Sequence, residues 1–244
     1  MKRPASPKAR GGRPQKADVP GSSPGLGTNP QVDAYDATVV DYGGILTRIQ
    51  MTPDEIDYVV AAIRAAPDDA LIVEWGTGGS TCRWYEAMRP GQRLIAVEHC
   101  PEWHDKLVLA ATTAFSERLQ GPESPGFELV LAREHPDVER RPYSEPYIDA
   151  AERRVRDIDF HKEEAPCFVP HYIDPRADVW DADVFLVDGI CRGAVLATIL
   201  AKRRRRAPVI LLHDYRDREI VYDWAVNLFP HHELVTGYLC RLYV

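Results

Sequence analysis

With 244 residues, 45% of them hydrophobic, the chain has enough material for one globular domain with a substantial core. Its net charge of −7 is unevenly spread: residues 1–30 hold six Lys/Arg against the single acid Asp18, so the acidic excess lies in the remainder. An acidic body argues against a broad nucleic-acid-binding face, which needs clustered cations opposite phosphates.

Residues 1–30 are rich in Pro, Gly, Ser and cations and offer little to bury. A disordered basic tail is therefore expected ahead of a domain over 31–244. At Thr52-Pro53-Asp54-Glu55 an N-cap, a first-turn proline and two acids open a helix that continues through IDYVVAAIRAA. LIVEW (71–75) is a short apolar run closed by glycines, hence a buried strand; Ser80 to Met88 fits a helix and RLIAVE (93–98) a second strand. A helix from Pro101 to about Leu119 follows, then a third strand, FELVLA (127–132), and a fourth, VFLVD (184–188). Next come a helix from Ala194 to about Arg205, a fifth strand, VILLHD (209–214), and a helix from Asp217 to Phe229. Two short strands within ELVTGYLCRLYV close the chain. Strands buried on both faces and alternating with helices give an α/β fold, a doubly wound and mostly parallel sheet with helices on both faces.

Residues 134–180 break this rhythm, being charged, proline-dotted and too long for an ordinary connection. Within them PYIDAAERRVRDID carries Ile148, Ala151 and Val155 as an apolar stripe at helical spacing. An insertion of this kind reads either as a lid or substrate-binding element, or as a surface excursion. The five cysteines form no CxxC pair and leave an odd count, which suits reduced thiols in a cytoplasmic protein. No apolar run nears the roughly 20 residues of a membrane helix. The N-terminal cations lack the apolar segment of a secretory signal.

Open parallel sheets bind ligands beyond the carboxyl ends of their strands, where the strand order reverses. The first strand ends at Glu74-Trp75 and runs into Gly76-Thr77-Gly78-Gly79-Ser80-Thr81. Glycines there permit unusual backbone angles and let a ligand approach the main chain. Glu98, at the end of the second strand, can accept hydrogen bonds from the hydroxyls of a ribose. Together these features point to an adenosine-containing cofactor. A dinucleotide fingerprint wants a glycine or alanine where Thr81 stands, and Glu74 would repel a pyrophosphate. Facing the sulfonium and ammonium of S-adenosylmethionine, the same carboxylate is favourable. An NAD-dependent oxidoreductase is the alternative enzyme, and a methyltransferase-like module that binds without catalysing is the alternative from another class.

The run E-W-G-T-G-G, with Glu98 downstream, resembles the first two motifs of class I S-adenosylmethionine-dependent methyltransferases, over roughly residues 45–244. The resemblance implies a seven-stranded sheet ending in an antiparallel hairpin. It also implies S-adenosylmethionine as cofactor, with the Gly76–Gly78 loop cradling its methionine part and Glu74, Thr77, Gly79 and Ser80 around it. Glu98 would hold the ribose, and His99 and Trp103 would flank adenine; Trp103 reads equally well as a core aromatic.

Asp188, after the fourth strand, and His213-Asp214, after the fifth, reach the same rim. Methyl transfer is an in-line displacement in which the acceptor must be aligned and lose a proton. With an ordinary pKa of about 6.5, His213 is the candidate base, and Asp188 and Asp214 would orient it or bind the acceptor. A magnesium ion is the alternative, because acids at these strand ends resemble those of Mg2+-dependent O-methyltransferases acting on catechols and antibiotic sugars. Those enzymes carry Asp-Asp or Asp-Asn where this chain has His-Asp, and imidazole is a poor ligand for so hard a cation. Plainer roles are a helix cap for Asp188, a satisfied loop histidine for His213, and a solvated helix end for Arg203 to Arg206. The expected acceptor is a small molecule bearing a hydroxyl, such as a sugar, with no nucleic acid or membrane partner.

Overall fold

A computed structural model of the chain describes residues 39–42, 45–121, 124–132 and 170–244. The expected basic tail at 1–30, residues 133–169 of the insertion with its Ile148-Ala151-Val155 stripe, and Cys167 lie outside them.

Two short strands that the sequence reading missed come first, β1 (Val39–Tyr42) and β2 (Ile45–Arg48), paired as an antiparallel hairpin. Helix α1 (Pro53–Ala65) opens as expected, on a capping box. Thr52 Oγ1 accepts from the Glu55 amide at 3.4 Å, and Glu55 Oε2 accepts from the Thr52 amide at 2.8 Å. Then follow β3 (Leu71–Trp75), α2 (Gly79–Ala87), β4 (Arg93–Glu98), α3 (Pro101–Ala114), α4 (Ser116–Gln120) and β5 (Gly126–Leu131). The expected single helix from Pro101 breaks at Phe115. That ring turns into the core against Tyr85, 5.2 Å away, and Tyr42, 5.6 Å away, so the helical path cannot continue through it.

After the undescribed stretch come α5 (Pro170–Ile173), a 3-10 turn at Ala177–Asp181, β6 (Val184–Val187), α6 (Arg192–Lys202) and β7 (Val209–Leu212). A second 3-10 turn (Arg216–Arg218), α7 (Glu219–Val226), β8 (His231–Thr236) and β9 (Leu239–Tyr243) complete the chain. Arg204 and Arg205 lie beyond α6 and pair with Asp181 at 2.8 Å and Asp183 at 3.1 Å, an exposed ion-paired surface.

The main sheet has seven strands in the order β5-β4-β3-β6-β7-β9-β8. β3 pairs in parallel with both β4 and β6, so the order reverses there and a crevice opens at the carboxyl ends of those strands. β9 runs antiparallel between β7 and β8, the expected terminal hairpin. Alternation along the strands feeds two cores. Val73, Trp75, Ile95, Phe185 and Leu212 face α6 and α7, while Ile72, Leu94, Val184 and Leu211 face α1, α2 and α3. Each of those nine side chains is buried. Cys82, Cys191 and Cys240 are buried, and Cys100 is half-buried. Among the described residues no helix is long and apolar enough to cross a membrane.

Candidate active site

The loop after β3 is shaped by two glycines in different ways. Gly76 has φ +88°, and a Cβ there would lie 2.3 Å from Gly189 Cα, so the loops after β3 and β6 touch backbone to backbone. Gly78 is extended, and a Cβ on it would meet nothing closer than Trp103 Nε1 at 3.9 Å and Ser80 Oγ at 4.0 Å. A side chain of one carbon would thus fit at Gly78 in ordinary van der Waals contact. Thr81, where a dinucleotide fingerprint has a small residue, is wholly buried, and its hydroxyl accepts from the Gly78 amide at 2.9 Å.

Glu74 points from β3 toward α2 and is buried. Its Oε1 accepts from Trp84 Nε1 at 2.9 Å and from Ser80 Oγ at 3.3 Å, while Oε2 has no partner among the described residues. Burial, with the charge of Asp188 adding to it, pushes its pKa up to about 8. Glu98 has the opposite fate. Its Oε2 accepts from the Thr77 amide at 3.1 Å and hydroxyl at 2.8 Å, and its Oε1 from the amides of His99 and Cys100, both at 2.8 Å. Burial works against its charge, but the bonds from His99, Cys100 and Thr77 outweigh that and hold its pKa below the ordinary carboxylate value.

The His99 ring stands edge-on to Tyr172, with centroids 5.5 Å apart. Trp103 is no core aromatic: it is 37% exposed and its indole donates to the Thr77 carbonyl. Tyr172, in the described end of the insertion, is fully buried beside Gly189, and its carbonyl accepts from Trp75 Nε1 at 2.7 Å. The sequence offered no signal for that residue.

At the ends of β6 and β7 the structure brings Asp188, His213 and Asp214 together, with ligand atoms within 4.8 Å of one another. His213 Nδ1 bonds Asp188 Oδ1 at 2.8 Å and lies 3.4 Å from Asp214 Oδ1. The ring is only 2% exposed, whereas the Asp188 and Asp214 side chains are partly open. Asp214 adopts φ 59° and Cys191 φ 53°, left-handed positions rarely taken by residues with a side chain, so the backbone on both sides of the cluster is strained. Asp188 does not cap α6, because Cys191 occupies that position.

Two residues missed by the sequence reading complete the cluster. Arg192, four residues after Asp188, donates to Gly189 O at 2.7 Å, His213 O at 2.6 Å, Asp188 O at 2.9 Å and Asp214 Oδ2 at 3.0 Å. Glu55, fully buried, sets its Oε2 3.6 Å from His213 Nε2. Burial opposes a charge on His213, yet Asp188, Glu55 and Asp214 together raise its pKa to about 10. These carboxylates favour the protonated ring, and an imidazolium has no lone pair to offer, which weighs against the expected role of proton acceptor. Burial also opposes the charge on Asp188, but His213 and Arg192 keep its pKa low. Arg192 bonds Asp214 Oδ2 and His213 Nδ1 bonds Asp188 Oδ1, so a hard cation at this rim would compete with both for the carboxylates.

In a comparison with solved structures, the chain is similar to a methyltransferase-like protein from Silicibacter pomeroyi, with a TM-score of 0.54 and 23% identity over 81% of this chain and 88% of that one. This chain has the class I methyltransferase fold. An O-methyltransferase from Bacillus cereus in complex with SAH also matches, at 14% identity, TM-score 0.44, 79% of this chain and 82% of that one. An O-methyltransferase from Streptomyces achromogenes in complex with SAM matches at 12%, 0.46, 80% and 81%. No protein-family model and no curated protein sequence matches. Within the methyltransferase fold, the glycine loop and the Asp188 cluster share one rim on either side of the crevice between β3 and β6.

Proposed function

We propose that the chain is a class I S-adenosylmethionine-dependent methyltransferase that acts on a small-molecule acceptor at a hydroxyl group. The observation that carries this reading is Glu74, a buried carboxylate just before the glycine loop with one oxygen unpartnered among the described residues. Burial keeps such a group protonated until a cation meets it. The methionine end of the cofactor brings an ammonium and a sulfonium. The pyrophosphate of NAD offers no cation to draw that proton off, and buried Thr81 departs from the dinucleotide pattern. The uncrowded Gly78 and the carboxylate of Glu98 at the end of β4 fit an adenosyl cofactor. In this reading Gly76, Thr77, Gly78, Gly79 and Ser80 surround the methionine part, while Glu98 holds the ribose and His99 flanks adenine.

When bound, S-adenosylmethionine supplies a methyl group made electrophilic by its sulfonium. Across the rim Asp188 accepts a hydrogen bond from the acceptor hydroxyl and orients its oxygen. As that oxygen takes on a third bond and the sulfur–methyl bond is given up, its proton would become strongly acidic, so even the weakly basic Asp188 carboxylate would suffice to take it. His213 and Arg192 keep Asp188 ionised, and Asp214 extends the polar rim for the rest of the acceptor. Their pairing supports a working centre over a module that only binds.

Calorimetry tests the reading. S-adenosylhomocysteine should bind with micromolar-scale affinity, about −8 kcal/mol, and NAD should not compete. Binding of NAD without binding of S-adenosylhomocysteine would show the reading to be wrong.

A further inference from the structure

We infer that Glu55 is a positioning residue for the reaction centre, acting through the His213 ring to hold the Asp188 carboxylate at the open side of the rim. The inference rests on the methyltransferase reading above and adds a residue to it. Glu55, His213 and Asp188 form a row. Nε2 of the ring lies 3.6 Å from Glu55 Oε2, and Nδ1 lies 2.8 Å from Asp188 Oδ1. One end of the row is sealed, with Glu55 at 0% exposure, and the Asp188 end is 22% exposed.

Helix capping does not account for Glu55. A capping box needs only an acceptor at this position, and glutamine supplies one without charge. Here the charge is buried under the turn between β8 and β9. Glu55 Oε1 accepts from the Tyr238 amide at 2.6 Å, and a Cβ on Gly237 would lie 3.0 Å from that oxygen. A sealed carboxylate carries a desolvation cost of several kcal/mol unless a cation faces it. Among the described residues the cation facing Glu55 is His213, at 3.6 Å.

The ring in turn is surrounded by charge on every packed side. Glu55 faces it from α1, Asp188 from beyond β6, and Asp214 from the adjoining position at 3.4 Å. The guanidinium of Arg192 binds the His213 carbonyl, and Glu74 faces the ring across a cavity of about 10 Å³. Anions outnumber cations, so removing Glu55 weakens the hold on the ring proton at Nε2 and frees the ring to turn away from Asp188.

The experiment uses the full chain labelled with 15N-histidine, wild type and Glu55→Gln. The NMR signals of the His213 ring are followed against pH, and calorimetry with S-adenosylhomocysteine is run on both proteins. Wild-type His213 should stay doubly protonated from about pH 6 to 9. In Glu55→Gln it should lose that signature within the same range, with affinity for S-adenosylhomocysteine unchanged to within about twofold. Glu55→Asp restores the charge with less reach and should fall between. A wild-type ring that titrates near an ordinary histidine value overturns the role of Glu55, and this arm needs no variant to fold. An unchanged ring in folded Glu55→Gln overturns it as well. Failure of wild-type protein to bind S-adenosylhomocysteine overturns instead the methyltransferase reading on which the role depends.

Discussion

Glu74 holds a proton at neutral pH in the cofactor-free protein, because burial lifts its pKa to about 8. A cationic cofactor end favours the ionised form, so binding releases that proton and affinity should rise between about pH 6 and 8. Calorimetry in buffers of different ionisation enthalpy detects the release directly. Glu74→Gln should abolish the pH dependence and weaken binding about 10- to 100-fold, the worth of one charge-assisted hydrogen bond. A flat affinity profile in wild type would exclude this role for Glu74. At this scale much was legible in the sequence: Glu74, Glu98, Asp188, His213 and Asp214 all stand at strand ends, where chain order alone puts them on one rim. The charge state of His213 was not, since it depends on Glu55, which local spacing reads only as a cap. Nor was the burial of Glu55, whose covering residue Tyr238 is 183 positions away.

At the scale of elements, the β3–α2 loop separates a glycine needed for folding from one suited to binding. Gly76→Ala meets the Gly189 backbone at 2.3 Å and forces a side chain into φ +88°. It should cost about 1–3 kcal/mol, lowering the melting temperature by about 3–10 °C. Gly78→Ala adds a methyl that meets its neighbours only at van der Waals distance, so stability should hold while affinity for S-adenosylhomocysteine falls. Thermal melts and calorimetry on the two variants separate the cases; equal destabilisation by both would contradict the geometry. The buried strands were legible from composition, and α1 from its cap and first-turn residues. The break at Phe115 was not, because helical periodicity runs on through it and tertiary packing of one ring stops the helix. The four-residue strands β1 and β2 are too short for alternation to declare itself.

For the whole molecule, buried charges set a pH range of stability. Glu55, Glu98 and Asp188 have folded pKa values below the ordinary ones, so their contribution is present above the unfolded carboxylate range and is lost as pH falls through the folded values. Glu74, raised to about 8, and His213, raised to about 10, act in the opposite sense. Their contribution is complete below their unfolded values and is lost as pH rises through the folded ones. Melting temperature should therefore peak at about pH 5–6 and decline on the alkaline side, with Glu74→Gln flattening the decline up to about pH 8. A melting temperature that climbs steadily from pH 6 to about 9 would contradict these shifts. The position of β9 has a further consequence, in the order of synthesis. This strand leaves the ribosome after every other strand of the sheet, yet it takes a place between β7 and β8. At about 5–20 residues per second, the nascent chain carries β7 with an open edge until residues 239–243 emerge. The Tyr238 amide that seals Glu55 arrives only moments earlier. Translation thus delivers the glycine loop first and the last support of the acid–imidazole row nearly last.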